Sequence, residues 1–471
     1  MRILLLDPPY GLEEIGGVKQ SFRQVINKIP SLGLAYLAAV AKENNHDVTI
    51  VDCTLEFEEK KLLKLAAEFN PQVVGITATT PTFKNAVSIG ALLRRELPQA
   101  IYICGGAHPT VCPEEVLDSE IFDFVVLGEG EETFLELISY LTEKQEGNPD
   151  DICGIAFKRN GESIITSLRP SVNDLNSIPF PDRNLLPPLT AYHPTPASYR
   201  RLPVAVIMTS RGCPSQCVFC DQSVFGRKLR KRSPENVMTE VEDVIINHGA
   251  KEIRFFDDTF TFDPTHVQGI CRGMKKLHPS VPWTCLTRVT AINLDMLKMM
   301  HDAGCWQILY GLESGDDRIL QNLGKGNTVQ QNREAVSWAK KVGLSIRADF
   351  LVGSPWETKD SFRKTVEFAK SLPLDFAHFN KFVPYPGTTI HNDLVSQGYI
   401  FKFDGGSYIN NHSDFVFVPE AFTKDEYAWW LDRAYKEFYL RPGYIMRKVS
   451  SVRTFTEFTG HLKGLNAIMS L

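Results

Sequence analysis

The 471-residue sequence lacks several features that would assign it to a common class of protein. Its longest apolar run, Leu32 to Ala41, is too short to span a bilayer, and Asp7 ends the apolar start of the chain, so neither a transmembrane segment nor a secretory signal is expected. With 51 basic against 56 acidic residues, the net charge of −5 gives no general attraction to nucleic acid or to membrane surfaces. The sequence therefore predicts a cytoplasmic protein without a nucleic-acid partner.

Metal-binding pairs of cysteine and histidine are also scarce. The sequence contains no second Cys-x-x-Cys and no His-x3-His, so a structural zinc site would lack its usual second pair of ligands. Without a secretory signal, a disulfide framework is not expected either. Seven of the 10 cysteines are scattered like core residues, namely Cys53, Cys104, Cys112, Cys153, Cys271, Cys285 and Cys305.

The remaining three cysteines, Cys213, Cys217 and Cys220, lie within eight residues of one another. They follow the apolar stretch 204–208, which predicts a buried strand. Thiolates at this spacing can reach three corners of one cuboidal iron-sulfur cluster. The fourth iron would have no nearby protein ligand and would be free to bind a substrate. We therefore predict that these three residues are metal ligands and are required for catalysis.

Strand patterns alternate with helical patterns from the first residue onward. Strands are predicted at 3–6, 48–51, 73–77, 101–104 and 124–127, and helices at 32–43, 58–68, 83–96 and 132–141. Such a series predicts an α/β fold with a flavodoxin-like parallel sheet, covered on both faces, over residues 1–145. Ligands of these sheets bind at the carboxyl ends of the strands.

The alternation stops over residues 146–200, which we interpret as a linker with a hairpin at Asn160-Gly161 and a proline-rich connection. A second alternating series begins near Val204. It predicts a partial (β/α)6 barrel over residues 201–395, with functional residues at the C-terminal ends of its strands. The cysteine loop follows the first of these strands.

The last predicted domain, residues 396–471, is rich in aromatic residues and mostly helical. Thr423 opens a capping box, and the helix that follows carries an aromatic stripe. Core packing is the predicted use of the stripe, and a lid over a bulky apolar substrate is the alternative. The basic run 227–232 is interpreted as a solvated or anion-binding segment before a helix capped by Ser233.

The pattern Cys-x3-Cys-x-aromatic-Cys after a first strand resembles the signature of the radical S-adenosylmethionine (radical SAM) superfamily. The resemblance implies a 4Fe-4S cluster whose open iron is chelated by S-adenosyl-L-methionine (SAM). An electron from the cluster then splits an S–C bond of SAM and yields a 5′-deoxyadenosyl radical. The cofactors carry this chemistry, while the protein supplies position and excludes water.

The same resemblance implies residues that bind SAM. Phe219 is expected along the adenine. Asp258 is expected to receive the methionine amino group, and one member of the pair Asp257-Asp258 could instead cap the following helix.

Two later strands complete this predicted SAM site. Glu313 and Ser314 lie in a glycine-flanked segment similar to the one that contacts ribose and methionine in the family. Arg347 begins a strand that resembles the family's adenine-contacting strand and that reaches Gly353.

Three loops at predicted strand ends of the first domain resemble those of the cobalamin-binding radical SAM family, whose marks are Gly-Gly-x-His-Pro-Thr and Gly-Glu-Gly-Glu. The resemblance extends toward the branch that acts on tetrapyrroles and hopanoid lipids, and it implies bound cobalamin. Because Asp-x-His-x-x-Gly is absent, His108 is not assigned as a ligand of cobalt. The residues expected at the cobalamin site are Thr77, Thr79, Gly105, Gly106, His108, Thr110, Gly128, Glu129 and Gly130.

The resemblance implies a radical SAM enzyme that uses cobalamin to modify an unactivated carbon of an apolar small molecule by methylation, cyclisation or rearrangement. A reducing partner such as flavodoxin or ferredoxin would supply the electron. Three alternatives stay open at this point: a radical SAM enzyme whose first domain no longer binds cobalamin, an RNA methylthiotransferase, and a non-catalytic sensor that carries a cluster.

Overall fold

The computed structural model describes residues 1–10, 27–142, 148–401 and 415–451. The strands are β1 Arg2–Asp7, β2 Asp47–Asp52, β3 Val73–Thr77, β4 Ile101–Gly105, β5 Phe124–Val126, β6 Ile155–Arg159, β7 Glu162–Ile165, β8 Val204–Ile207, β9 Ser210–Arg211, β10 Arg230–Lys231, β11 Glu252–Phe255, β12 Trp283–Thr287, β13 Cys305–Glu313, β14 Ser345–Val352 and β15 Phe376–Lys381. The helices are α1 Leu32–Glu43, α2 Glu59–Phe69, α3 Phe83–Glu96, α4 Ala107–Val111, α5 Pro113–Asp118, α6 Gly130–Thr142, α7 Pro234–Ile246, α8 Pro264–Met274, α9 Leu294–Asp302, α10 Asp317–Asn322, α11 Val329–Val342, α12 Lys359–Ser371, α13 Thr389–Ser396, α14 Lys424–Tyr439 and α15 Pro442–Ser451.

The first sheet has the order β2-β1-β3-β4-β5-β6-β7, and its first five strands are parallel. Strands β1, β3, β4 and β5 are mostly apolar because helices cover both faces: α1 and α6 pack on one core, and α2 and α3 on the other. This doubly covered parallel sheet confirms the predicted α/β fold. The hairpin predicted at Asn160-Gly161 forms as β6 and β7 and extends this sheet by two antiparallel strands.

The second sheet contains six parallel strands in the order β8-β11-β12-β13-β14-β15, which is their order along the chain. Side chains alternate across it. On β14, Ile346, Ala348 and Phe350 are fully buried in the core beneath the helices, so Arg347 and Asp349 point to the opposite, inner face. The cysteine loop, after β8, lies at the carboxyl edge of this sheet.

Helix α14 covers β15, the edge strand of the second sheet. Its stripe packs into the core as predicted, with Tyr427 and Phe438 fully buried. The Tyr435 and Tyr439 hydroxyls lie within hydrogen-bond distance of backbone groups of Phe379 and Ala377 on β15. The two tyrosine hydroxyls thus give hydrogen-bond partners to backbone groups of β15 that face away from the rest of the sheet. Residues 402–414 and 452–471 of the predicted C-terminal domain lie outside the described residues.

Among the described residues, no helix is both long and apolar enough to cross a membrane.

Candidate functional site

The cysteine loop is anchored to the second sheet before its first cysteine. Asp257, just beyond β11, accepts hydrogen bonds from the backbone N–H and the hydroxyl group of both Thr209 and Ser210. Gly212 has a φ of +86°, and a Cβ at this position would collide with the backbone carbonyl of Lys228. The chain therefore reaches Cys213 through a tight turn held by a buried carboxylate.

The spacing of the three thiols fits a cluster better than a single metal ion. Cys213 and Cys217 are buried and Cys220 is exposed, and the three sulfur atoms do not all lie within 4.8 Å of one another. Thiolates on one zinc ion, with bonds of about 2.3 Å, would lie only roughly 3.8 Å apart. The thiols still interact, because desolvation and then Cys217 and Asp258 raise the pKa of Cys220 to about 12. A cuboidal cluster takes each thiolate on a different iron, so it does not require the three sulfur atoms to lie that close together.

Two cations that the sequence analysis did not single out border the cysteines. Arg288, directly after β12, donates from Nη1 to Cys217 Sγ at 3.1 Å. Lys325 is buried, and its Nζ lies 2.7 Å from Glu313 Oε1 and 6.0 Å from the centre of the Phe219 ring. Positive groups beside thiolates favour the ionised sulfur that a metal requires. The position of Arg288 directly after a strand of the second sheet was the signal that could have found it.

Glu313 ends β13 in a left-handed backbone conformation, with a φ of +62°. A Cβ at Gly311 would collide with the Glu313 carboxylate and would lie 2.7 Å from Lys325 Nζ. Only a glycine therefore allows this buried ion pair to lie against the strand. The structure thus brings Phe219, Glu313 and Lys325 together beside the cysteine loop.

The two carboxylates after β11, Asp257 and Asp258, have different surroundings. All the hydrogen bonds of Asp257 go through Oδ1 to the turn before the cysteines, and burial raises its pKa to about 6. Asp258 is exposed and close enough to Cys220 to raise its pKa. Asp258 is accordingly the member of the pair that remains available to a ligand.

The structure does not bring the other predicted SAM residues into this group. The Ser314 hydroxyl lies 3.0 Å from that of Thr365 on α12 and accepts a hydrogen bond from the backbone of Asp316, so it holds a turn. Arg347 lies earlier on its strand, on the inner face. Gly353, at a φ of +84°, leaves room for the Tyr427 hydroxyl, which fills the position that a Cβ would take.

A cleft lies at the carboxyl ends of β1, β3, β4 and β5, between the first sheet and the cysteine-bearing segment. Much of its wall is small or apolar, as a large planar ring system requires. Six of the residues predicted to bind cobalamin line it, namely Thr77, Gly105, Gly106, Gly128, Glu129 and Gly130. Met208, Arg211, Val224 and Phe225 line its other side.

Gly106 allows the loop after β4 to pack closely against the loop after β3 at the wall of the cleft. Its φ is +112°, and a Cβ would lie 2.7 Å from the carbonyl oxygen of Ala78 and 2.9 Å from Thr77 Oγ1. No other residue type fits without strain. The small, mostly apolar wall that results from this packing fits the predicted cobalamin.

The three remaining cobalamin candidates do not line the cleft. Thr110 supports it, because its hydroxyl donates to the carbonyl of Gly106 and accepts from the N–H of Gly128. Thr79 caps the turn that follows β3. His108 is 1% exposed and packs against Phe83, so burial lowers its pKa to about 4.

The Gly-Glu-Gly-Glu segment joins the cleft to the cysteine loop. Arg211, two residues before Cys213, lies 2.9 Å from Glu129 and 2.6 Å from Glu131, and all three side chains are at least nine-tenths buried. Arg230 forms a further ion pair with Glu129. The carboxylate of Glu129 thus forms ion pairs with both Arg211 and Arg230.

Two members of the basic run 227–232 are buried rather than solvated. Arg230 pairs with Glu129, and Arg232 pairs with the fully buried Glu240. The interpretation of the run as a solvated or anion-binding segment is wrong for these two residues. A buried carboxylate of the chain itself takes the place of both water and a free anion at each of the two arginines.

Comparison with known proteins gives two family matches. Residues 22–138 match the model of the B12 binding domain, and residues 207–369 match that of the radical SAM superfamily. The first match covers most of the sheet that forms the cleft, and the second begins at the end of β8.

The chain is similar to an uncharacterised methyltransferase of Pyrococcus horikoshii, at 35% identity over 95% of both chains. It is 28% identical to the anaerobic magnesium-protoporphyrin IX monomethyl ester cyclase of Cereibacter sphaeroides, over 94% of this chain and 71% of the relative. Its fold is similar to that of the radical SAM methyltransferase TsrM from Kitasatospora setae, solved with cobalamin and a [4Fe-4S] cluster. The TM-score is 0.72 at 15% identity, over 100% of this chain and 98% of TsrM.

Proposed function

Because the chain belongs to the cobalamin-binding radical SAM family, an enzyme family, we propose that it transfers a methyl group from SAM to an unactivated carbon of an apolar small molecule. The substrate class follows from the relatives that act on tetrapyrroles and hopanoids. Methyl transfer is preferred over cyclisation because the relative at 35% identity over nearly the whole chain is named a methyltransferase.

Each cofactor has a set of residues that would hold it. Cys213, Cys217 and Cys220 would ligate the 4Fe-4S cluster, with the Arg288 guanidinium beside it. Lys325 offers its ammonium group to the carboxylate of SAM, and Glu313 offers an acceptor for the ribose hydroxyls. When bound, the cluster supplies the electron that cleaves SAM, and cobalamin supplies a carrier for the methyl group.

One observation carries the proposal: Arg211 belongs to both sites. It lines the cobalamin cleft, lies two residues before the first cluster ligand and pairs with the carboxylates on either side of Gly130. The two cofactors would therefore face one space between the sheets, where a short-lived radical can be kept close to its target and away from water.

The proposal retains the remaining predictions from the sequence. A flavodoxin or ferredoxin would deliver the electron, and the protein would work in the cytoplasm. The domains would be residues 1–145 for cobalamin, 146–200 as linker, 201–395 for the radical chemistry and 396–471 as the C-terminal part. The predicted binding residues other than Arg347 stay part of the proposal, with Lys325 and Arg288 added and with Ser314 as a turn residue. Arg347, which the structure does not bring into the group beside the cysteine loop, is not retained as a SAM residue.

Methyl-deuterated SAM tests the proposal. The protein is reconstituted without oxygen with iron, sulfide and hydroxocobalamin, reduced, and incubated with tetrapyrrole and terpenoid-lipid candidates. Label in the product and co-eluting corrinoid support methyl transfer. An unlabelled product with 5′-deoxyadenosine would instead show cyclisation or rearrangement, and activity without corrinoid would show the cobalamin-free alternative. An intact cluster that yields neither product nor 5′-deoxyadenosine would contradict the enzymatic function.

A further inference from the structure

The inner face of the second sheet carries charged side chains that the proposed methyl transfer does not use. Arg254 lies on β11, Arg347 and Asp349 on β14, and His378 on β15. Each lies between residues that are buried in the core beneath the helices, so all four side chains point to the face without helices. The side chains of Asp349 and His378 are 27% and 28% exposed, so this face is open rather than packed.

The two guanidinium groups carry more donors than their surroundings accept. Arg254 Nη1 and Arg347 Nε are buried without a hydrogen-bond partner in the described part of the chain, and Arg347 is only 8% exposed. Arg347 Nη2 lies 3.4 Å from His378 Nδ1, which itself lies 3.1 Å from Asp349 Oδ1. A buried donor that lacks an acceptor is costly, so such donors mark a place where a ligand can supply one.

The charges around the two arginines also favour an anionic ligand. Two arginines face one aspartate, and the nearby Glu252 is already engaged by the backbone N–H groups of Arg200 and Arg201. Burial, and after it the charge of Arg347, lowers the pKa of Arg254 to about 10. Asp349 offsets the charge of only one of the two arginines, so the group keeps an excess of positive charge.

An apolar surface lies beside these cations. The Phe256 side chain is 41% exposed, and the Arg254 guanidinium carbon lies 5.4 Å from the centre of its ring. The group is also electrostatically linked to the SAM site: although burial opposes it, His378, Arg347 and Lys325 hold the pKa of Asp349 below its usual value. Asp349, which lies on the same face as the two arginines, is thus within electrostatic range of Lys325 in the proposed SAM site.

We propose that Arg254 and Arg347 bind an anionic group, a carboxylate or a phosphate, of the organic substrate, while Phe256 contacts its apolar part. This inference rests on the proposed function, because it names a property of that enzyme's substrate. Guanidinium groups match such anions in shape and charge. The carboxylate of SAM has the same chemistry, and the experiment must separate the two sources.

Equilibrium dialysis of the reconstituted holoenzyme provides the test, with inorganic phosphate and SAM as separate labelled probes. Wild type is compared with Arg254→Gln and Arg347→Gln, and Arg272→Gln on the exposed side of α8 is the matched control. We expect wild type to retain phosphate with SAM present, and each test variant to weaken phosphate retention about tenfold or more, since a charge-assisted hydrogen bond is lost. SAM affinity should stay within about twofold in every variant, and the control should match wild type.

If a variant binds poorly, its thermal unfolding midpoint shows whether the substitution also lowers the stability of the fold. Loss of one of two neighbouring buried cations should leave the unfolding midpoint unchanged or raise it, because repulsion is relieved. A lower midpoint with unchanged phosphate retention would show a purely structural pair. A tenfold loss of SAM affinity in the test variants would assign the pair to the carboxylate of SAM. Either result would overturn the inference. Failure of methyl transfer would be separate, because neither probe requires turnover.

Discussion

Arg211→Gln tests the link between the cobalamin cleft and the cysteine loop. The substitution removes the guanidinium that lies 2.6 Å from Glu131 and 2.9 Å from Glu129, in a site where the three side chains are at most 10% exposed. Glu129 keeps Arg230, whereas Glu131 is left without an ion-pair partner among the described residues. Breaking a buried pair from one side costs about 3–5 kcal/mol, and because only one of the two carboxylates is abandoned we expect about 3 kcal/mol.

Urea unfolding monitored by circular dichroism gives this free energy, and gel filtration with hydroxocobalamin reports whether corrinoid stays bound. The control is Arg159→Gln, which removes an arginine from an exposed pair with Asp150 and should change neither readout. Adding Glu131→Gln to Arg211→Gln should recover part of the stability, since no charged carboxylate is then left buried. A loss below about 1 kcal/mol for Arg211→Gln, with corrinoid retained, would refute the argument that this network holds the two sites together.

Three further predictions concern the cofactor sites. Replacement of any one of the three clustered cysteines by alanine should abolish the iron-sulfur absorbance and 5′-deoxyadenosine formation, whereas Cys271→Ala should affect only packing; full activity of one cluster variant would refute the ligand assignment. Gly106→Val should abolish corrinoid retention on gel filtration, because its Cβ would lie 2.7 Å from the Ala78 carbonyl oxygen, and retained corrinoid would contradict the placement. His108 has a pKa of about 4 in the folded chain, below the 6.5 of a free histidine, so its contribution to stability should be lost as the pH falls from about 6.5 to 4. His108→Phe should flatten that part of the urea-derived stability profile and leave the lower axial ligation of cobalt in electron paramagnetic resonance spectra unchanged; an unchanged profile would refute the buried neutral state.

Local patterns were sufficient for several features of this protein. Apolar strand runs predicted both sheets, Asn160-Gly161 predicted the hairpin, and Thr423 predicted the start of α14. The spacing of the three cysteines pointed to a cluster. These predictions succeed because strand burial, turn conformation, helix capping and loop reach are set by residues close together in the chain.

Pairings between distant residues could be seen only in the folded chain. Lys325 pairs with a carboxylate 12 positions earlier, and the Glu129 carboxylate meets Arg211 82 positions later. A sequence pattern shows that a charge exists but not which opposite charge will be buried with it. For the same reason Ser314 was expected at a ligand, whereas its hydroxyl lies against that of Thr365.

The sequence by itself determined the two α/β units and the three cysteines, because each depends on neighbours along the chain. Tertiary structure alone decided which polar side chains face a cavity and which form buried ion pairs or hydrogen bonds with one another. Gly353 shows the difference: its strand resembled a ligand-contacting one, but the Tyr427 hydroxyl from α14 takes the space beside it. Close approach of two elements is decided by how they pack, and packing joins residues that the sequence keeps far apart.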